Sequence, residues 1–158
     1  MVMTGGRELH ARIRDFFTFS KQEMVTLLIA AVVTAFIFSF RDWGDDVFDA
    51  VLGLIHLLIV FGVAMFSFIA RLSAQKIYAL SEGYKAEFRL WWVGLVVALI
   101  IAFISFGRLP LVLIGGVVLG FMVRQRLGEF RYGFSYHDNA VVAFIGVLAN
   151  ILLALVFG

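Results

Sequence analysis

At 158 residues, 63% of them hydrophobic and 15% charged, the chain is far more apolar than a soluble domain, which averages nearer half apolar and a quarter charged. The composition is that of an integral membrane protein in a lipid bilayer, and a formal net charge of +2 is too small to suggest nucleic acid as a partner. With no cysteine, disulfides and thiolate metal sites are excluded.

Residues 1–19 read as a cytoplasmic leader, carrying Arg7, Arg12 and Arg14 with Lys21 just beyond. Under the positive-inside rule these residues set orientation, and binding to anionic lipid is the functional alternative. The leader is too polar for a cleavable signal peptide, and the first apolar run lacks a small-x-small cleavage site. The remainder, 20–158, reads as a single membrane domain. Phe19-Ser20-Lys21-Gln22-Glu23-Met24 has the form of a helix start: Ser20 and Glu23 make a capping box, and Phe19 can staple onto Met24. The first span is therefore expected over 21–40, about long enough for roughly 30 Å of hydrocarbon.

The connector Arg41 to Asp49 is acidic and turns at Gly44. Asp46 is the expected N-cap of the second helix, with Asp49 at N3. Its four aspartates lack the spacing of a calcium loop. The second span, 50–70, carries His56, an ionisable residue inside a span and so a candidate functional group. Ile59 and Val60 occupy its i+3 and i+4 positions, which leaves a histidine hydrogen-bonded to another helix as the plain alternative.

Beyond it comes a mixed stretch, Ala70 to Trp92. Leu72, Ile77, Leu80 and Tyr84 fall near a helical period, so the second helix continues past the lipid until Ser81-Glu82-Gly83 stops it. Ala86, Phe88 and Leu90 then alternate with Glu87 and Arg89 as a short strand, and Trp91-Trp92 suits the headgroup level. Further spans are expected over 90–106, 109–123 (short, with Gly115, Gly116 and Gly120, a crossing or a re-entrant segment) and 140–157, the last capped by Asp138 or Asn139. The flanks hold four, one, four, one and three Lys or Arg in order. That alternation predicts five crossings in the cell membrane, with the N-terminus and the 71–89 connector cytoplasmic. The fold class is thus an all-α integral membrane protein with a short strand-like segment at the cytoplasmic boundary.

Ser20-Lys21-x-Glu23 and then Glu82-Gly83-Tyr84-Lys85-Ala86-Glu87-Phe88-Arg89-Leu90-Trp91 with Gly94-Leu95 resemble the archaeal branch of the site-2 protease family, intramembrane zinc metalloproteases. The likeness continues through Gly115-Gly116-Val117-Val118, and through Asp138-Asn139 to Gly146, Leu148, Ala149, Asn150 and Leu152. In that family an H-E-x-x-H run supplies two zinc ligands and a general base. Anchored on Ala74 and Lys76, its positions fall on Arg71, Leu72 and Gln75, none of which suits the chemistry. Arginine does not ligate a cation, leucine moves no proton, and glutamine is a poor zinc ligand. The family's aspartate ligand has no counterpart before Gly158, so either the chain is a short paralogue or a further segment follows. Val147 stands in place of a family proline.

The resemblance therefore implies a degenerate member without proteolysis and without a cofactor. Arg71, Ser73 and Gln75 would line a groove that binds a transmembrane segment, and Glu87 would pair with Arg71. A snorkelling arginine on a polar helix end is the plain alternative. His56, His137 and Asp138 are the weak candidates for a metal, and a protease built on unusual ligands is the enzyme alternative. A structural subunit or a small transporter is the competing class, and whether the chain forms an oligomer stays open.

Overall fold

Helix α1 begins at Lys21, where the Ser20–Glu23 pattern places it, and runs to Phe38. It stops just short of the expected Phe40 because a 3-10 turn, Phe40–Trp43, takes over the chain. The computed structural model describes residues 10, 13–43, 48–121 and 136–157. The elements after the 3-10 turn are α2 (Ala50–Ser81), β1 (Tyr84–Leu90), α3 (Trp92–Ile104), β2 (Gly115–Phe121) and α4 (Tyr136–Phe157). The chain folds as two compact units. One is drawn from Lys21–Phe68 and Arg89–Gly116, the other from Met1–Ser20, Ile69–Phe88 and Val117–Gly158.

Among the described residues, three helical stretches are long and apolar enough to cross a membrane: Lys21–Phe38, Ala50–Ser81 and His137–Phe157. In α2 the N-cap differs from expectation, while the C-terminal stop falls where Ser81-Glu82-Gly83 places it. Its N-cap is Asp49, whose Oδ1 accepts from the amides of Val51 and Leu52, both at 3.0 Å. Asp46, expected to do this, lies outside the described residues. The helix then runs for 32 residues, about 48 Å at the standard rise, well beyond a 50–70 span. Nothing over 70–81 interrupts it, since Leu, Ala, Gln and Lys are good helix formers. It stops at Ser81, where Gly83 takes a positive φ of 87°. The buried stripe of this part runs through Leu72, Gln75, Lys76, Ala79 and Leu80. Ile77 is on the exposed side.

In the unit built from 21–68 and 89–116, α1 packs on α3 through small residues. Ala30, Ala98 and Ala102 are fully buried, and Ile37 and Leu95 fill the space between them. Small side chains let the backbones approach, which favours helix association where surrounding groups are all apolar. Phe36, Phe40 and Phe103 close one end, with Phe40 and Phe103 edge to face at 5.1 Å.

The largest departure from expectation lies in 90–123. Helix α3 has 13 residues, about 20 Å, short of the roughly 30 Å hydrocarbon thickness. Residues 109–121 hold no helical crossing, and 122–123 lie outside the described residues; Gly115–Phe121 is a strand, paired with β1 in a two-stranded sheet. Three glycines and a Val-Val pair disfavour a helix there, and the free edge of β1 offers the bonds. Gly115 lies against the carbonyl of Arg89 and Gly120 against that of Lys85, so the strands are antiparallel. The Trp91 amide donates to the Ile114 carbonyl at 3.0 Å. The excursion from 91 to 114 therefore returns to its starting point. The alternation expected along β1 holds, with Ala86 and Phe88 buried and Lys85 and Arg89 exposed.

Gly115 has φ of 134°, and a Cβ there would strike the Arg89 carbonyl. Gly115→Ala is expected to destabilise the fold by about 1–3 kcal/mol, read as a lower melting temperature in detergent. Gly116→Ala, whose Cβ would meet nothing within 4 Å, serves as the control and should change it little.

Candidate functional site

The site belongs to the unit formed by 69–88 and 117–158. Its core is Ala79, Ala86, Leu119 and Val142, with Tyr78, Tyr84 and Val117 packed against them. This joins the last turns of α2, both strands and the start of α4. Lys76, also buried, holds the end of the leader: its ammonium donates to the Thr18 carbonyl at 2.9 Å and lies 4.6 Å from the centre of the Phe19 ring.

Arg71 and Gln75, at i and i+4, share one face of α2, and that face meets α4. Gln75 is 1% exposed, and its Nε2 donates to the Val142 carbonyl at 3.0 Å. Val142 and Gly146 are in turn i and i+4 on α4, both buried. A Cβ on Gly146 would overlap the Gln75 amide, with Cδ at 2.8 Å and the Arg71 Nε at 3.1 Å. Glycine at 146 therefore makes the notch that the two polar side chains occupy. The amide is only half satisfied, because Gln75 Oε1 is buried with no hydrogen-bond partner. Arg71 itself is half-buried.

The other expected groove residues are not brought to this face. Ser73 stands two residues from both Arg71 and Gln75, about 200° round the helix, so the expectation that it joins them is corrected. Glu87 does not reach Arg71; it pairs with Lys85 at 3.0 Å, one step along the same face of β1. Both are well exposed, and such a pair contributes little to stability. Leu72, where the resemblance places a glutamate, is 3% exposed.

The weak metal candidates are dispersed. His56 precedes Gln75 by 19 residues on α2, about 28 Å. Its Nδ1 is 3.3 Å from Asp42 Oδ2 but is not aligned for a hydrogen bond. His137 Nδ1 lies 3.6 Å from Asp138 Oδ1, and the histidine side chain is 81% exposed. Helix α4 starts at Tyr136, so Asp138 lies in its first turn and not at the cap. Asp138 instead accepts from the Tyr84 hydroxyl at 2.9 Å, which ties β1 to α4. That bond, then burial and the negative charge nearby, raise the Tyr84 phenol above its usual value of 10.0. Among the described residues no three His, Cys, Asp or Glu stand together as a metal site.

A zinc ion does not fit the residues at 71, 72 and 75. The guanidinium repels a cation, Leu72 offers no donor, and the Gln75 amide is held by a helix carbonyl. One neutral amide oxygen is far from the four-ligand set that zinc takes. The parts of this face that the sequence reading missed are the Val142 carbonyl and the Gly146 notch. Their signal was present in the i, i+4 spacing of Val142 and Gly146, within the stretch that carries the family resemblance.

Over 143 residues the chain is 28% identical to a protein of Methanocaldococcus jannaschii named "putative zinc metalloprotease", covering 90% of this chain and 64% of the other. The relationship is distant. The chain thus spans just under two thirds of the relative's length. No family model matches the chain, and no solved structure matches it.

Two substitutions separate packing from polarity on this face. Gly146→Leu should destabilise the protein by about 1–3 kcal/mol through overpacking. Gln75→Leu should be near neutral, since it removes an unpartnered acceptor together with its bond. Thermal unfolding of both variants in one detergent checks the contrast.

Proposed function

We propose that the chain is a site-2 protease-like membrane protein that holds a transmembrane segment at the Arg71–Gln75–Gly146 face without cutting it. The observation that carries this reading is the Gln75 amide. It stands where the resemblance expects a zinc-binding histidine, docked on the Val142 carbonyl, with buried Leu72 at the place of the general base. Water activation at such a site needs a metal ligand set and a carboxylate, and this face offers neither. It does offer polar groups with unused bonding capacity, Arg71 beside Gln75, at a helix junction. Those are means of gripping a helix in an apolar setting.

The membrane reading rests on composition and on three long apolar helices. For orientation, the N-terminus and the 71–89 connector are cytoplasmic. The Lys and Arg alternation supports this. So does the return of 91–114 to its start, since antiparallel pairing brings the end of β2 back to the level of Lys85. The positive-inside rule puts residues 124–139, with three Lys or Arg, on the same side.

The purified protein is expected to hold no stoichiometric zinc. About one zinc per chain by elemental analysis, lost on changing His56 or His137, would refute the reading. Introducing Arg71→His, Leu72→Glu and Gln75→His together should still give no zinc-dependent cleavage of a transmembrane substrate, because two ligands and a base hold the ion too weakly. Cleavage by that triple variant, abolished by chelator, would show that the rest of the catalytic machinery is intact. For orientation, a cysteine at position 85 should react with an impermeant thiol reagent only from the cytoplasmic side, and labelling only from outside would overturn it.

A further inference from the structure

The unused bonding capacity at this face has a definite sign. Arg71 keeps its charge at any accessible pH, and it is half-buried at the junction of α2 with α4. Ile69 and Ile77, both exposed, stand about 160° to 240° round the helix from it, so Arg71 points away from the outer apolar face. The carboxylates near it in sequence are engaged or remote. Glu87 is taken by Lys85, Asp138 by Tyr84, and among the described residues no ion pair reaches Arg71. A charge turned into apolar surroundings is found paired with another charge or with backbone carbonyls. Beside it the buried Gln75 Oε1 is an acceptor without a donor.

We infer that Arg71 takes a carboxylate carried by the bound partner, so that the partner is a transmembrane helix with an Asp or Glu near its cytoplasmic end. This rests on the proposed function and specifies its ligand. The guanidinium fork matches a carboxylate in two parallel bonds. The level follows from the length of α2. Arg71 is 21 residues beyond Ala50, about 32 Å, which places it at the edge of a hydrocarbon layer roughly 30 Å thick. A partner acid at the end of its own span meets it there. A lipid phosphate reaches the same level, but it would approach from the outer face that carries Ile69 and Ile77.

The test uses the full chain in phosphatidylcholine vesicles and synthetic leucine-alanine helices of roughly 20 residues. Each helix carries a single Glu or Gln in its cytoplasmic-side last turn, and association is read by energy transfer. The Glu helix is expected to bind at least about tenfold more tightly than the Gln helix, the scale of one charge-assisted contact. Arg71→Gln should remove that difference, and Arg71→Glu should transfer the preference to a Lys helix. Equal binding of Glu and Gln helices by the unaltered protein would overturn the inference and leave the groove reading standing, with no dependence on whether a variant folds. Absence of binding by either helix would remove the groove reading as well. If Arg71 instead retains phosphatidylglycerol in native mass spectra, lost in Arg71→Gln, and shows no helix preference, its anion is a lipid phosphate and the inference is wrong.

Discussion

In an apolar environment every backbone amide and carbonyl has to find a partner within the chain, and the fold around the sheet follows from that requirement. Between Trp91 and Ile114 the chain makes a helix too short to cross a bilayer and then returns extended. An extended return exposes a full row of polar backbone groups. Pairing β2 with β1 meets the requirement, and it needs Gly115, because only a residue without a side chain can lie against the Arg89 carbonyl. The amide of Trp91, between β1 and α3, is bonded to Ile114 for the same reason. The excursion therefore closes on itself.

The same requirement governs the face of α2 that meets α4. Burial of the Gln75 amide is tolerable because Nε2 bonds a helix carbonyl, and the cost left over sits on Oε1. Gly146 makes the arrangement sterically feasible, and Leu72 is buried in the same turn of α2. On the proposed reading, a cationic side chain and a buried amide stand where a hydrolytic site would place a metal and a base.

Much of this was legible along the chain. The start of α1 at Lys21, the stop at Gly83, the alternating strand after it and the sharing of one face by Arg71 and Gln75 are local matters. Capping chemistry, glycine and residue period decide them. Ser73 was legible in principle too, since a helix period alone separates it from Arg71. Less legible was the second-helix cap, where several aspartates compete and only geometry selects Asp49.

The sequence by itself determined the apolar class of the protein, the positions of its long helices and the absence of histidine and glutamate where the family resemblance expects them. These depend on side-chain chemistry and short-range backbone preference. Only the tertiary structure decided that 115–121 pairs as a strand, that Glu87 goes to Lys85 and not Arg71, and that Gln75 docks on Val142 beside Gly146. Each of those outcomes sets one partner against another, and for the sheet and the α2–α4 contact the partners come from distant parts of the chain. A short apolar run with three glycines satisfies the rules for a strand and for a short helix alike until the free edge of β1 is there to receive it.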